Sequence, residues 1–207
     1  YVEAYAGEGI PIYAITPQNE PNFPNREYPT CFWTPENQRD FIRDHLGPAF
    51  AAAQLDTEIW CWDHNFNYLD FPRTVLNDPE AAQYVDGIAF HHYEGQPEAM
   101  SEIQQEFPEK DIYFTEGSVF RTRGAIEIIR FFRNWARSYN AWVIMLDENR
   151  KPNNGPHSAS QTSIEYLSDR DEVVYHYDYY MYGQFMKHIP RGAVRIASTA
   201  GNRLFNN

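Results

Sequence analysis

The chain has 207 residues, enough for one domain with a sizeable core, and 43% hydrophobic with 22% charged residues is ordinary for a globular protein. A formal net charge of −12 argues against nucleic acid and against anionic membranes held by charge, because neutralising phosphate needs a basic face. No run approaches the roughly 18 apolar residues that cross a bilayer, so no transmembrane segment is expected. The chain opens on Tyr1 inside a helical pattern (Tyr1 to Glu8) with no start Met, which reads as a piece of a longer protein. The two cysteines, Cys31 and Cys61, lack metal-site spacing and are read as free thiols. No N-x-[ST] sequon occurs, and neither source nor compartment can be read from the residues.

The first β-prone run, Ile12 to Ile15, carries no charge and reads as a strand buried on both faces. Pro17 and Pro21 end it and deliver Asn19 and Glu20 to its carboxyl end. Thr34-Pro35-Glu36-Asn37 reads as an N-cap with proline at the first helical position, opening a helix to about Ala53 with Phe41, Ile42, His45 and Leu46 on one side. A second strand, Glu58 to Trp62, ends in Asp63-His64-Asn65, and Asp78-Pro79-Glu80 starts a short helix to about Tyr84. A third strand, Gly87 to Phe90, ends in His91-His92-Tyr93 and precedes a helix from Pro97 to about Phe107. The fourth, Asp111 to Phe114, ends in Thr115-Glu116-Gly117. A long helix from about Gly124 to Ser138 places Trp135 on its apolar stripe, as core. The fifth strand is Ala141 to Leu146, followed by a polar loop with Pro152, Asn153, Asn154, Gly155 and Pro156. A last helix covers about Tyr175 to His188, and Ala193 to Ala197 begins a new strand.

Strand–helix alternation at this spacing means parallel strands joined by right-handed crossovers, an α/β fold. No Gly-rich phosphate loop follows the first strand, as an open doubly wound sheet usually shows. Polar side chains stand at the carboxyl ends of at least four strands, as in a (β/α)8 barrel that builds one site from many loops. A full barrel takes about 250 residues, so five units amount to the second part of one. The remainder of that barrel, its strands 1 to 3, is then a needed partner. Alone, the piece would have two open sheet edges and is expected to be neither soluble nor active.

Glu20 and Glu116 each follow a β-run directly, and two carboxyl groups facing each other across a barrel mouth are the minimum set for glycoside hydrolysis. Glu20 is assigned as acid/base and Glu116 as nucleophile, with Asn19 bonding a sugar hydroxyl and Tyr93 donating to the nucleophile's carboxylate. Aromatics at 16% exceed what a compact core needs, so some are expected to line a groove for sugar faces. Trp62 and Trp142 are candidate platforms or barrel filling, and Phe32 and Trp33 are candidate contacts. Asp63, His64, His91 and His92 match no standard metal spacing, so no metal is assigned. His91 is read instead as orienting a carboxylate, and His92 as filling core. Protonation and covalent catalysis suffice, so no cofactor is expected. A binding relative that lost the chemistry, or a structural fragment, would leave the paired glutamates unexplained.

The run Ile15-Thr16-Pro17-Gln18-Asn19-Glu20-Pro21 resembles the acid/base strand of glycoside hydrolase family 30, the glucosylceramidase family. Cys31 to Ile42 is similar to the helix that follows it, Leu76 to Ala89 with His91-His92-Tyr93 to its sixth-strand region, and Phe114-Thr115-Glu116 to its nucleophile strand. The resemblance implies the C-terminal part, about strands 4 to 8, of a (β/α)8 TIM barrel, running into the start of a side β-sandwich domain. Residues 1–190 would be partial barrel and 191–207 the first strand of that domain. It implies a retaining β-glycosidase with Glu20 as acid/base and Glu116 as nucleophile, with Asp63 at the end of strand five. In the eighth-strand W-x-x-W pattern of glucosylceramidase, Trp142 takes the first place and Met145 stands at the second. A β-glucoside or glucan substrate is expected, with the β-glucosyl bond of a lipid or aryl glucoside first and β-1,6-glucan second. The resemblance also implies a secreted or lysosomal-type compartment.

Overall fold

A computed structural model describes residues 1–25, 28–118, 120–152 and 162–198. Five parallel strands make the main sheet: β1 (Ala14–Ile15), β2 (Glu58–Asn65), β3 (Gly87–His91), β4 (Asp111–Gly117) and β5 (Ala136–Ala141). Their spatial order is their chain order, β1-β2-β3-β4-β5. An open doubly wound sheet reverses direction at a switch point, whereas an unreversed order is what a barrel wall requires. A three-stranded sheet, β6 (Met145–Asp147), β7 (Ile164–Leu167) and β8 (Glu172–Tyr175), stands apart from it.

The helices are α1 (Val2–Gly7), α2 (Pro35–Phe41), α3 (Gly47–Ala52), α4 (Asp70–Leu76), α5 (Pro79–Ala82), α6 (Glu98–Glu106), α7 (Arg121–Arg133) and α8 (Tyr177–His188). The expected capping box is present: the Thr34 side chain accepts from Asn37 N, and Asn37 Oδ1 accepts from Thr34 N. A π-helical turn, Ile42–Leu46, joins α2 to α3, rotating the face so that Ile42 is fully buried and His45 is exposed. At the next turn, a Cβ on Gly47 would come 2.2 Å from Tyr84 Cγ, so only glycine lets the helix pass this ring.

Side chains alternate about the sheet. Ile88, Phe90, Ile112 and Phe114 face the helices, where Phe114 stacks on Phe131 of α7 with centroids 4.1 Å apart. Trp60 and Tyr113 stack on the other face at 3.7 Å. Among the irregularities of the sheet, two lie where β3 borders β2 and β4 near their carboxyl ends. Trp62 pairs Ala89 but His64 pairs Phe90, which leaves Asp63 as an extra residue. Likewise Phe114 pairs Phe90 but Glu116 pairs His91, which leaves Thr115 extra. Such bulges re-aim the residues around them.

Several expectations are corrected. The first strand is shorter than Ile12 to Ile15, and Tyr13 is 63% exposed, because β1 pairs only with β2 and lies at an edge. The fifth strand is Ala136–Ala141, not Ala141 to Leu146. Its polar side chains are satisfied by neighbouring β4, Ser138 donating to Phe114 O at 3.1 Å and Tyr139 to Gly117 O at 3.3 Å. The long helix therefore stops at Arg133, and Trp135 is a left-handed turn residue (φ 75°), 44% exposed under Arg195, rather than core. Helix α4 and the β7–β8 hairpin were not expected. Residues 193–198 take no regular secondary structure, so the strand expected there is not formed in this chain. Asn153, Asn154, Gly155 and Pro156 lie outside the described residues. Cys31 is exposed and Cys61 buried, both free, and burial pushes the Cys61 thiol up to about 12. Among the described residues no helix is long and apolar enough to cross a membrane.

Candidate active site

The site sits at the carboxyl ends of β1 to β5, where the two bulges concentrate polar side chains. Glu20 follows β1 in a left-handed conformation (φ 46°), and its N–H donates to Asp63 O at 3.0 Å. Trp62 and Asp63 are left-handed as well (φ 73° and 67°), a conformation costing about 1–3 kcal/mol per residue outside glycine. Gln38 of α2, fully buried, offsets part of this cost, because its Oε1 accepts from Trp62 N at 2.8 Å. Strain of this kind clusters where a backbone must aim side chains at a ligand.

His91, 1% exposed, is the centre of the cluster. Its Nε2 lies 3.1 Å from Asp63 Oδ1 and its Nδ1 3.0 Å from Glu20 Oε1. The same Nδ1 is 3.9 Å from Glu116 Oε1. Burial opposes charge on this ring, but the hydrogen bonds to Asp63 and Glu20 prevail and hold its pKa up at about 9. Near neutrality it is therefore an imidazolium that donates from both nitrogens. Asp63 is buried, which raises its carboxyl, but His91, Thr16 (2.6 Å to Oδ2) and Thr115 (2.7 Å to Oδ1) bring it below the usual range.

Glu116 accepts from the Tyr93 hydroxyl at 2.9 Å. Burial pushes its carboxyl above the usual range, against the pull of His91 and of the Tyr93 hydrogen bond, while Glu20 adds to the rise. Burial and then the Glu116 charge push the Tyr93 phenol far up, so it remains a donor. Because both glutamates touch one imidazole nitrogen, their facing oxygens are separated by no more than 3.0 and 3.9 Å laid end to end. That bound, which holds for the two facing oxygens, admits the about 5–5.5 Å separation of carboxyl groups in retaining glycosidases.

Of the residues singled out from the sequence, Glu20, Glu116, Asp63, His91 and Tyr93 are brought into this one network. Trp142 caps the end of β5, with its N–H donating to Gly117 O at 3.0 Å and half its surface exposed at the rim. Asn19 is exposed beside Glu20, and its side chain makes no hydrogen bond to the cluster among the described residues. Trp62, of the two tryptophans weighed as platforms, is fully buried against Phe71 and fills core. Phe32 is 59% exposed, whereas Trp33 packs on Phe41. His92 points the other way, toward Phe114 and Phe131, and accepts from Ser118 N at 3.1 Å. Burial, with the charges of His91 and Arg123, holds it down to about 4.

Thr16, Thr115 and His64 were not assigned roles from sequence. The threonines reach Asp63 from the end of β1 and from β4, and the only sequence signal was Thr115 standing directly before Glu116 and Thr16 directly after β1. His64 comes to 3.5 Å of Glu20 Oε1, with Phe23 edge-on to its ring at 6.2 Å. Glu20, His64 and His91 each offer a ligand atom within 4.8 Å of the others, a cluster that spacing alone had not disclosed.

Comparison with known proteins agrees with this architecture. The Glycosyl hydrolase family 30 TIM-barrel domain matches residues 1–155. An endo-1,6-beta-D-glucanase of Aspergillus fumigatus is 32% identical over 200 residues, 94% of this chain and 41% of that protein. The lysosomal acid glucosylceramidase of Mus musculus is 29% identical over 223 residues, 97% of this chain and 43% of that protein. The solved structure of the endo-beta1,6-glucanase BT3312 superposes with a TM-score of 0.85 at 34% identity, over 96% of this chain and 48% of the other. The chain thus spans less than half the length of these relatives, and its curled parallel sheet matches part of a barrel. It belongs to glycoside hydrolase family 30.

Proposed function

We propose that this chain carries the catalytic carboxylates of a retaining β-glucan hydrolase, acting first on β-1,6-linked glucan. The observation that carries the reading is the single imidazole, His91, that reaches both Glu20 and Glu116. In the scheme, Glu20 protonates the glycosidic oxygen as Glu116 attacks the anomeric carbon, giving a covalent glycosyl-enzyme. Glu20 then takes a proton from the water that releases the sugar. Asp63, behind His91, fixes the ring and places a positive charge among three carboxyl groups. Tyr93 offsets the burial of Glu116 by donating to it. Asn19 serves a sugar hydroxyl and Trp142 a sugar face at the rim.

The sequence-based order of substrates, a lipid or aryl β-glucoside before β-1,6-glucan, is reversed here. Support for the reversal comes from the glucanases at 32% and 34% identity, against 29% for the mouse glucosylceramidase. Residues 1–190 would form the barrel portion and 191–207 lead toward a side β-domain, with the remaining barrel strands supplied by the rest of the protein. The test is hydrolysis by the full-length protein. β-1,6-glucan is cut with retained anomeric configuration and Glu116→Gln abolishes the cut. A preference for glucosylceramide restores the other order, and inactivity on both refutes the reading.

A further inference from the structure

His64 is buried beside Glu20 and takes no part in the hydrolytic scheme. It is 7% exposed, and its Nδ1 finds no hydrogen-bond partner among the described residues. An unpaired buried polar atom costs about 1–3 kcal/mol, a cost that a ligand bond at this nitrogen would offset. The nitrogen lies 3.5 Å from Glu20 Oε1, and His91 Nδ1 lies 3.0 Å from the same oxygen. For metal–ligand bonds of about 2.0–2.1 Å, the edge of a tetrahedron is roughly 3.4 Å. Two edges of that figure are therefore already set within a few tenths of an ångström. All three ligand atoms fall within 4.8 Å of one another.

The surroundings also suit a metal. His91 holds its other nitrogen on Asp63 Oδ1 at 3.1 Å, the carboxylate–imidazole arrangement that orients a metal-ligating histidine. Thr16 and Thr115 fix that carboxylate in turn, at 2.6 and 2.7 Å. Two imidazoles and one carboxylate form a borderline donor set, favouring Zn2+ or Co2+ over the hard cations Ca2+ and Mg2+.

We propose that Glu20, His64 and His91 form a binding site for a borderline divalent cation, and that filling it switches off glycoside hydrolysis reversibly. The bound cation replaces the proton on His91 Nδ1, which is released to solvent, and occupies the Glu20 oxygen. The inhibitory consequence rests on the role given to Glu20 under Proposed function, whereas the cation site does not.

The test uses the full-length protein in a non-chelating buffer. Titration with Co2+ is expected to give the visible bands of a four- or five-coordinate site, saturating at one ion per chain, and Zn2+ should bleach them. Zn2+ should inhibit β-1,6-glucan hydrolysis over the same concentration range, with EDTA restoring the rate and Ca2+ or Mg2+ having no effect. In His64→Ala, with rates taken relative to its own metal-free activity, half-inhibition should need roughly tenfold more Zn2+ or beyond. A Co2+ spectrum unchanged from the aqueous ion overturns the proposal even if the variant does not fold, as does a His64→Ala enzyme with unaltered Zn2+ sensitivity. Binding at this stoichiometry in a protein that cleaves no β-glucan even when metal-free would support the site and refute the hydrolytic reading.

Discussion

Tyr93→Phe isolates one atom of the scheme, the hydroxyl that donates to Glu116 Oε1 at 2.9 Å. A hydrogen bond to a charged group contributes about 1.5–3 kcal/mol. Tyr93 is 45% exposed, so water can partly replace its hydroxyl and the lower end of the range applies. About 1.5 kcal/mol is close to tenfold in rate. Loss of the hydroxyl also raises the pKa of Glu116, since the lost donor favoured the ionised form. A nucleophile must be ionised, so activity is present above its pKa and lost as pH falls through it. The acid limb of kcat/KM therefore moves to higher pH, and kcat/KM above that limb drops about tenfold. The assay is a pH profile of aryl β-glucoside or β-1,6-glucan hydrolysis by the full-length protein, wild type against variant. An acid limb that stays in place, or moves to lower pH, would refute the assignment of Glu116 as the ionised partner of Tyr93.

Asp63→Ala removes the acceptor shared by Thr16, Thr115 and His91 and leaves a buried imidazolium without its main partner. Breaking such a pair costs about 3–5 kcal/mol, and denaturant unfolding should show that loss together with a collapse in kcat. Gln38→Leu leaves the buried N–H of Trp62 unpaired and should cost about 1–3 kcal/mol by the same method. Since that N–H anchors the bulge carrying Asp63, kcat should fall more than KM changes; a stability loss with kcat intact would separate Gln38 from the site.

Much of the alternation was legible because buried parallel strands read as short uncharged runs. Ile88 to Phe90 and Ile112 to Phe114 are of that kind, and both were placed within a few residues. The strand-end glutamates were legible too, since a carboxyl group directly after such a run has few places to go except the rim. The fifth strand was not. Ala141 to Leu146 carries the apolar pattern, yet the chain leaves the sheet there, with Ile144 and Met145 61% and 53% exposed. The strand is instead Ala136–Ala141, with Arg137 paired to Asp111 of β4. An edge strand next to one neighbour needs ladder partners more than apolar faces, and periodicity does not report ladder partners. The hairpin of β7 and β8 did leave a signal, Ile164-Glu165-Tyr166-Leu167 and Glu172-Val173-Val174-Tyr175 around a polar turn.

The site's inner geometry was the least legible part. Asp63 and Thr115 are the extra residues of two bulges, and a one-residue insertion in a strand changes which side chains face inward without changing composition. Strict alternation would have sent Asp63 and His64 to opposite faces. With left-handed conformations at Trp62 and Asp63, the Asp63 carboxylate meets His91 and the His64 ring meets Glu20. That is why the four strand-end residues Asp63, His64, His91 and His92 read together only as an unmatched spacing, and why Glu20 joins His64 and His91 only in three dimensions.

The central claim is that Glu116 forms a covalent bond to the sugar while Glu20 moves the proton. It is tested most directly by incubating the full-length protein with a 2-deoxy-2-fluoro-β-glucosyl fluoride and locating the added mass by peptide mass spectrometry. One fluoroglucosyl group per chain is expected, on the peptide containing Glu116. A label on Glu20, or turnover that inverts the anomeric carbon with no trapped intermediate, would contradict it.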